Sequence, residues 1–110
     1  ISSVAGLRGG GMLAGYSASK GAVRLFARSM AMECAAAGDG IRVNSVHPGL
    51  IDTPMLAAAS DEQMEFYSSL IPMKRPGKAS EVATAVLWLA SDAASYVTGA
   101  ELSVDGGAIL

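Results

Sequence analysis

Between residues 16 and 36, apolar positions recur at intervals of three and four. Val23, Phe26, Met30 and Cys34 lie on one line of a helix that opens with Tyr16 and Lys20. That line is expected to face the core. A second line, Leu25, Ser29, Met32 and Ala36, runs along another side, so the helix is expected to be covered on two faces, one of them by a second subunit. Gly38-Asp39-Gly40 stops the helix, and residues 41–46 (Ile-Arg-Val-Asn-Ser-Val) read as a strand closed by Pro48-Gly49. Residues 1–4 are short, apolar and β-friendly, the end of another strand, and a glycine-rich loop follows over residues 6–11.

Downstream, Ser60 and Gln63 form a capping box for a helix running to about Leu70, ahead of Pro72. Ser80 is expected to cap a longer helix that sets Val82, Val86 and Leu89 at core spacing. A last strand covers residues 101–104, and Asp105-Gly106-Gly107 reads as a turn and not a metal site. The order is strand, helix, strand, helices, strand. Crossovers of this length place neighbouring strands parallel, which makes the fold class α/β. No repeat or linker divides the chain, so residues 1–110 are expected to form part of one domain.

Composition narrows the function classes. A hydrophobic content of 51% and a net charge of −2 suit a globular unit and give no field for a polyanion, so no nucleic-acid partner is expected. The densest basic stretch, residues 74–78, is expected to be a solvated loop. No apolar run approaches the roughly 18 residues of a membrane span. One cysteine, Cys34, suits a reducing cytoplasm and reads as a core residue. The chain starts at Ile1 without methionine inside a strand end, and is expected to be a piece of a longer protein.

Two motifs carry candidate chemistry. Gly9-Gly10-Gly11-Met12-Leu13-Ala14 formally fits the dinucleotide pattern G-x-G-x-x-G/A, but the next strand ends in His47-Pro48 where an acidic ribose ligand belongs, so the fit is poor. Tyr16 and Lys20 are better placed. Four residues apart on a helix they share a face, and an ammonium beside a phenol favours the phenolate, which makes a tyrosine usable for proton exchange with an alcohol or carbonyl. Taken alone, the pair also suits a surface lysine beside a buried tyrosine.

The motifs taken together resemble the short-chain dehydrogenase/reductase family: Ser3, Tyr16-Ser17-Ala18-Ser19-Lys20, Ile41 to Gly49, Thr53-Pro54-Met55, and Thr98-Gly99 to Asp105-Gly106-Gly107, in the family's order over nearly the whole chain. The resemblance implies a Rossmann-like, doubly wound parallel sheet, of which this chain is the C-terminal part. It implies that Tyr16 is the catalytic acid/base, that Lys20 assists it and binds the nicotinamide ribose, and that Ser3, thirteen residues before the tyrosine, polarises the substrate oxygen. Ser2 points the other way by strand alternation. Pro48, Gly49, Ile51 and Thr53 match the segment that contacts the nicotinamide end of the cofactor, with Tyr16 and Lys20 completing the cofactor set. Asn44 and His47 read as structural.

The implied activity is hydride transfer between NAD or NADP and a secondary alcohol or ketone, by a homotetramer without a metal; the alternative is a catalytically silent relative serving as a binding or assembly module. Sugar-nucleotide epimerases of the superfamily usually lack the Asn-x-x-x-Pro-Gly segment with a terminal Asp-Gly-Gly, and its enoyl reductases space the tyrosine and lysine more widely. The family's glycine-rich cofactor loop, its NAD/NADP selector and its catalytic asparagine belong to a preceding half. The residue 55–73 segment falls where the family places a substrate lid, and its apolar composition hints at hydrophobic substrates. Three short strands with uncovered apolar faces are expected to make a marginal fold on their own.

Overall fold

The computed structural model describes residues 1–56 and 58–110. Its elements in chain order are α1 (Ala5–Arg8), α2 (Ala14–Ala37), β1 (Ser45–Pro48), β2 (Ile51–Asp52), a 3₁₀ turn (Pro54–Leu56), α3 (Asp61–Ser69), β3 (Gly77–Lys78), α4 (Ala79–Ala90), a second 3₁₀ turn (Asp92–Ala94) and β4 (Glu101–Val104). β1 pairs with β4 in parallel, with Ser45 opposite Glu101 and Pro48 opposite Val104. β2 and β3 form a separate two-residue parallel pair.

Residues 1–4 run parallel to the other edge of β1, with Ser2 N donating to Val46 O (2.8 Å) and Val4 N to Pro48 O (3.1 Å). They are not a regular strand. The reciprocal bond to Ser2 O would have to come from the nitrogen of Pro48, which carries no hydrogen.

Side chains alternate along β1. Val46 borders the same cavity as Val86 and Leu89 of α4, whereas Ser45 lies opposite Glu101, whose carboxylate is bound by Arg24 of α2 at 2.8 Å. The two long helices therefore cover opposite faces of the β1–β4 pair.

Three expectations need correction. The strand over residues 41–46 begins only at Ser45. Opposite residues 41–44 lies the segment before β4, where Gly99 takes a left-handed φ of 73°. Asn44 replaces ladder bonds there with its side chain, Nδ2 donating to Val97 O and Oδ1 accepting from Ala100 N, both at 2.9 Å. The core stripe of α2 is not Val23, Phe26, Met30 and Cys34 but Ala27, Ala31 and Cys34. Val23 and Phe26 are exposed, as are Leu25 and Met32 on the second line. Small residues hold the inner face, where the Ala31 methyl lies in ordinary contact, 3.6 Å from the Cβ position of Gly99 in the segment before β4. Ser80 lies inside α4, which starts at Ala79 behind Lys78; Glu81 satisfies the N-terminal donor, its Oε2 accepting from Lys78 N at 2.7 Å.

Other readings hold. Gly38 ends α2 with φ 66°, its N–H bonded to Cys34 O and Ala35 O, and Ser60 and Gln63 form the capping box of α3. Asp105 makes a turn, its carboxylate accepting from Gly107 N and Ile109 N. Of the α4 positions expected in the core, Leu89 is buried and Val82 half-buried, but Val86 is exposed, so that expectation fails at Val86. Arg42 donates to Leu89 O, Ser91 O and Val97 O, which satisfies carbonyls left open at the C-terminal end of α4. The radius of gyration is 15.3 Å, against about 13 Å for a compact domain of this length, which agrees with the exposed Leu25, Phe26, Met32 and Leu87.

Candidate functional site

A cavity of about 390 Å³ opens beyond the C-terminal end of β1, the end at which open α/β sheets bind ligands. Ser3, Tyr16 and Lys20 line it, together with Pro48, Gly49, Ile51 and Thr53, so every residue singled out in the sequence borders the same space. Met55 and Leu56, from the segment expected to wall a pocket, and Ala79 and Val82, which the sequence did not single out for the site, give it an apolar wall.

Local structure explains how the polar group converges. Tyr16 and Lys20 lie in the first two turns of α2, and the Lys20 ammonium sits 5.7 Å from the centre of the Tyr16 ring. Its one protein hydrogen bond among the described residues is a long one, to Ile1 O at 3.4 Å. The Tyr16 hydroxyl makes none, and the residue is 41% exposed. Both therefore keep donors for a ligand.

The two serines divide as strand alternation predicts. The Ser2 hydroxyl donates to Lys20 O at 2.7 Å, bracing the main chain of α2. Ser3 Oγ accepts from Ala5 N at 3.2 Å, which leaves its own hydrogen uncommitted. His47 is fully buried and held at both ring nitrogens, by Ser45 Oγ at 2.8 Å and Ser3 O at 3.2 Å, so it fixes the residue before Val4 against β1.

Gly6 does not line the cavity but packs behind it, a contact that periodicity could not find. A Cβ there would lie 2.7 Å from the carbonyl carbon of Lys20 and 2.8 Å from Ser2 Oγ, so only glycine lets α1 rest on α2 at the lysine. The segment over residues 74–78 is also more engaged than a solvated loop. Lys74 Nζ donates to Ser69 O at 2.6 Å, and Arg75 grips Glu81 with bonds of 2.9 and 2.7 Å. That guanidinium first, and the Lys78 N–H after it, hold the Glu81 carboxyl down to about 2. The Glu101 carboxyl is likewise lowered, chiefly by its hydrogen bond from Arg24.

The site offers uncommitted donors from Ser3, Tyr16 and Lys20 together with apolar surface from Met55, Leu56, Ala79 and Val82. A family model described as Enoyl-(Acyl carrier protein) reductase matches residues 1–108. The chain belongs to the short-chain dehydrogenase/reductase family. It is 51% identical over 98 residues to the glucose 1-dehydrogenase of Gluconobacter oxydans, covering 87% of this chain and 36% of that protein. A short-chain dehydrogenase/reductase of Brucella melitensis, titled as a glucose/ribitol dehydrogenase, superposes with a TM-score of 0.89 at 39% identity, over 99% of this chain and 43% of that one. A blue fluorescent protein from a metagenomic library, solved in complex with NADPH, superposes with a TM-score of 0.90 at 35% identity, over 100% of this chain and 44% of that one. The fold is thus the family's Rossmann-like α/β fold, and the chain spans less than half the length of each of these proteins.

Proposed function

We propose that this chain carries the proton-transfer side of an NAD(P)-dependent oxidoreductase site acting on a secondary alcohol or ketone. The observation that carries the reading is the single cavity onto which Ser3, Tyr16 and Lys20 open beside Pro48, Gly49, Ile51 and Thr53. The NADPH complex of a 35% identical neighbour supports the cofactor class.

Tyr16, Lys20 and the residues from Pro48 to Thr53 would hold the nicotinamide end, and the cofactor supplies the hydride acceptor or donor. The chain's own residues handle the oxygen. In oxidation Tyr16 Oη takes the hydroxyl proton of the substrate; in reduction it returns that proton to the carbonyl oxygen. Ser3 Oγ donates to the same oxygen and stabilises the charge that builds there, an effect of about 3 kcal/mol for one preorganised donor. The ammonium of Lys20, 5.7 Å from the ring centre, supplies the compensating positive charge. The apolar wall of Met55, Leu56 and Val82 favours a hydrophobic substituent on the carbonyl carbon. The exposed apolar residues of α2, Leu25, Phe26 and Met32, suit burial in an oligomer of the full-length protein.

Tyr16→Phe in the full-length protein tests the reading, followed by nicotinamide absorbance over a panel of alcohols and ketones. Turnover should fall about 10²–10⁴-fold while dinucleotide binding persists. Near wild-type turnover overturns the assignment of Tyr16, and a wild-type protein that binds dinucleotide but turns over nothing marks a silent relative.

A further inference from the structure

We propose that Arg75 and Glu81 are positioning residues that set the cofactor-facing segment over residues 51–53, acting through β3; the cofactor part of this rests on the function proposed above. Among the described residues β3 is the only strand partner of β2, and each has two residues, too few to stay paired by their own ladder. What fixes β3 therefore fixes Ile51, and Ile51 and Thr53 line the cavity.

One carboxylate does the fixing. Glu81 accepts from Lys78 N at 2.7 Å and from the Arg75 fork at 2.7 and 2.9 Å, while Arg75 also donates to Pro76 O at 3.0 Å. Residues 75–81 thereby close into a ring around β3. Inside that ring Gly77 N donates to Leu50 O at 2.9 Å, and a Cβ on Gly77 would stand 2.8 Å from Ile51 Cδ1, so the two short strands are in direct contact. Glu81 also sits in the first turn of α4, whose Ala79 and Val82 form another wall of the cavity. The clamp thus ties the two walls together without itself bordering the ligand space. A bidentate pair to arginine is the side-chain arrangement that best fixes both distance and plane.

The test uses the full-length protein with Glu81→Gln, which keeps shape and removes charge, and Arg75→Lys, which keeps charge and removes the fork. Hydrogen exchange of the segment over residues 50–56, measured without dinucleotide, should quicken in Glu81→Gln. The dissociation constant and KM for the dinucleotide should rise about tenfold, the loss of one charge-assisted hydrogen bond, with kcat within about twofold. Arg75→Lys should recover part of that affinity. Unchanged exchange refutes the clamp; quickened exchange with dinucleotide affinity within twofold of wild type refutes the positioning role. Wild-type protein that binds no dinucleotide refutes the oxidoreductase reading instead, and the exchange result still decides the clamp. If Glu81→Gln does not accumulate as folded protein, Arg75→Gln carries the same measurements.

Discussion

Gly6→Ala sets two well-known effects against each other. Alanine stabilises a helix over glycine by about 1 kcal/mol, and Gly6 lies within α1. The added methyl, however, would sit 2.7 and 2.8 Å from the carbonyl carbon and oxygen of Lys20 and 2.8 Å from Ser2 Oγ. Two of those atoms are backbone of α2 and cannot swing aside. Ordinary contact requires α1 and α2 to part by about 0.7 Å. Such overpacking costs about 1–3 kcal/mol, and the methyl also displaces the Ser2–Lys20 hydrogen bond, worth about 1 kcal/mol. The net is about 2 kcal/mol of destabilisation, a fall in Tm of about 4–8 °C for a full-length protein of 150–250 residues. Because the parting occurs at Lys20, kcat/KM should fall at least about tenfold, as misplacements approaching 1 Å do. Gly15→Ala is the internal control: it lies in α2 with nothing within 4 Å of its Cβ position, and should hold or raise stability. Thermal and urea unfolding of both variants decides the matter. If Gly6→Ala matches wild type, or both variants shift in the same direction, the close approach at Lys20 is not what requires glycine.

Asn44→Ala orphans Ala100 N, while Val97 O keeps its bond from Arg42, and should cost about 1–3 kcal/mol in urea unfolding; a loss below 0.5 kcal/mol, about the level of an ordinary surface substitution, would show that water replaces the amide. Glu81, whose carboxyl is held to about 2 in the folded protein against 4.5 ordinarily, adds stability above pH 4.5 that is lost as pH falls toward 2. The stability gap between wild type and Glu81→Gln should therefore be full at neutral pH and shrink across that window; a gap constant from pH 7 to 2 by denaturant unfolding would refute the pairing.

What was legible in the sequence is what local geometry dictates. Tyr16 and Lys20 share a face because helix spacing puts them there, the Ser60–Gln63 capping box is a three-residue affair, and Ser3 falls on the side of its segment that alternation assigns. The strand over residues 41–46 was misplaced because a strand exists only where a partner does. Alternation in Ile41-Arg42-Val43-Asn44 looks the same whether or not the opposite chain bends at Gly99. The inner face of α2 was misplaced for a related reason. Hydrophobic patterns weigh large side chains, and Phe26, Leu25 and Met32 outweigh Ala27 and Ala31, yet the inner face of α2 holds the small ones and the large ones stay exposed.

The same reasoning explains why the close contacts behind the cavity escaped the sequence although most of its lining residues did not. Three of its seams are closed by glycines that touch something on the far side: Gly6 against Lys20, Gly49 against Asp105 and Gly77 against Ile51, each with a Cβ position within 2.8 Å of an atom of its partner. Other glycines of the chain, Gly9, Gly11 and Gly15 among them, meet nothing within 4 Å. Pattern alone cannot separate the two kinds, since a turn and a close approach are both written as glycine. Once the contacts are known, the three seams share a consequence. Each sets the distance between a ligand-facing segment and the element behind it, so a methyl at any of them must move a wall of the cavity before it disturbs the core.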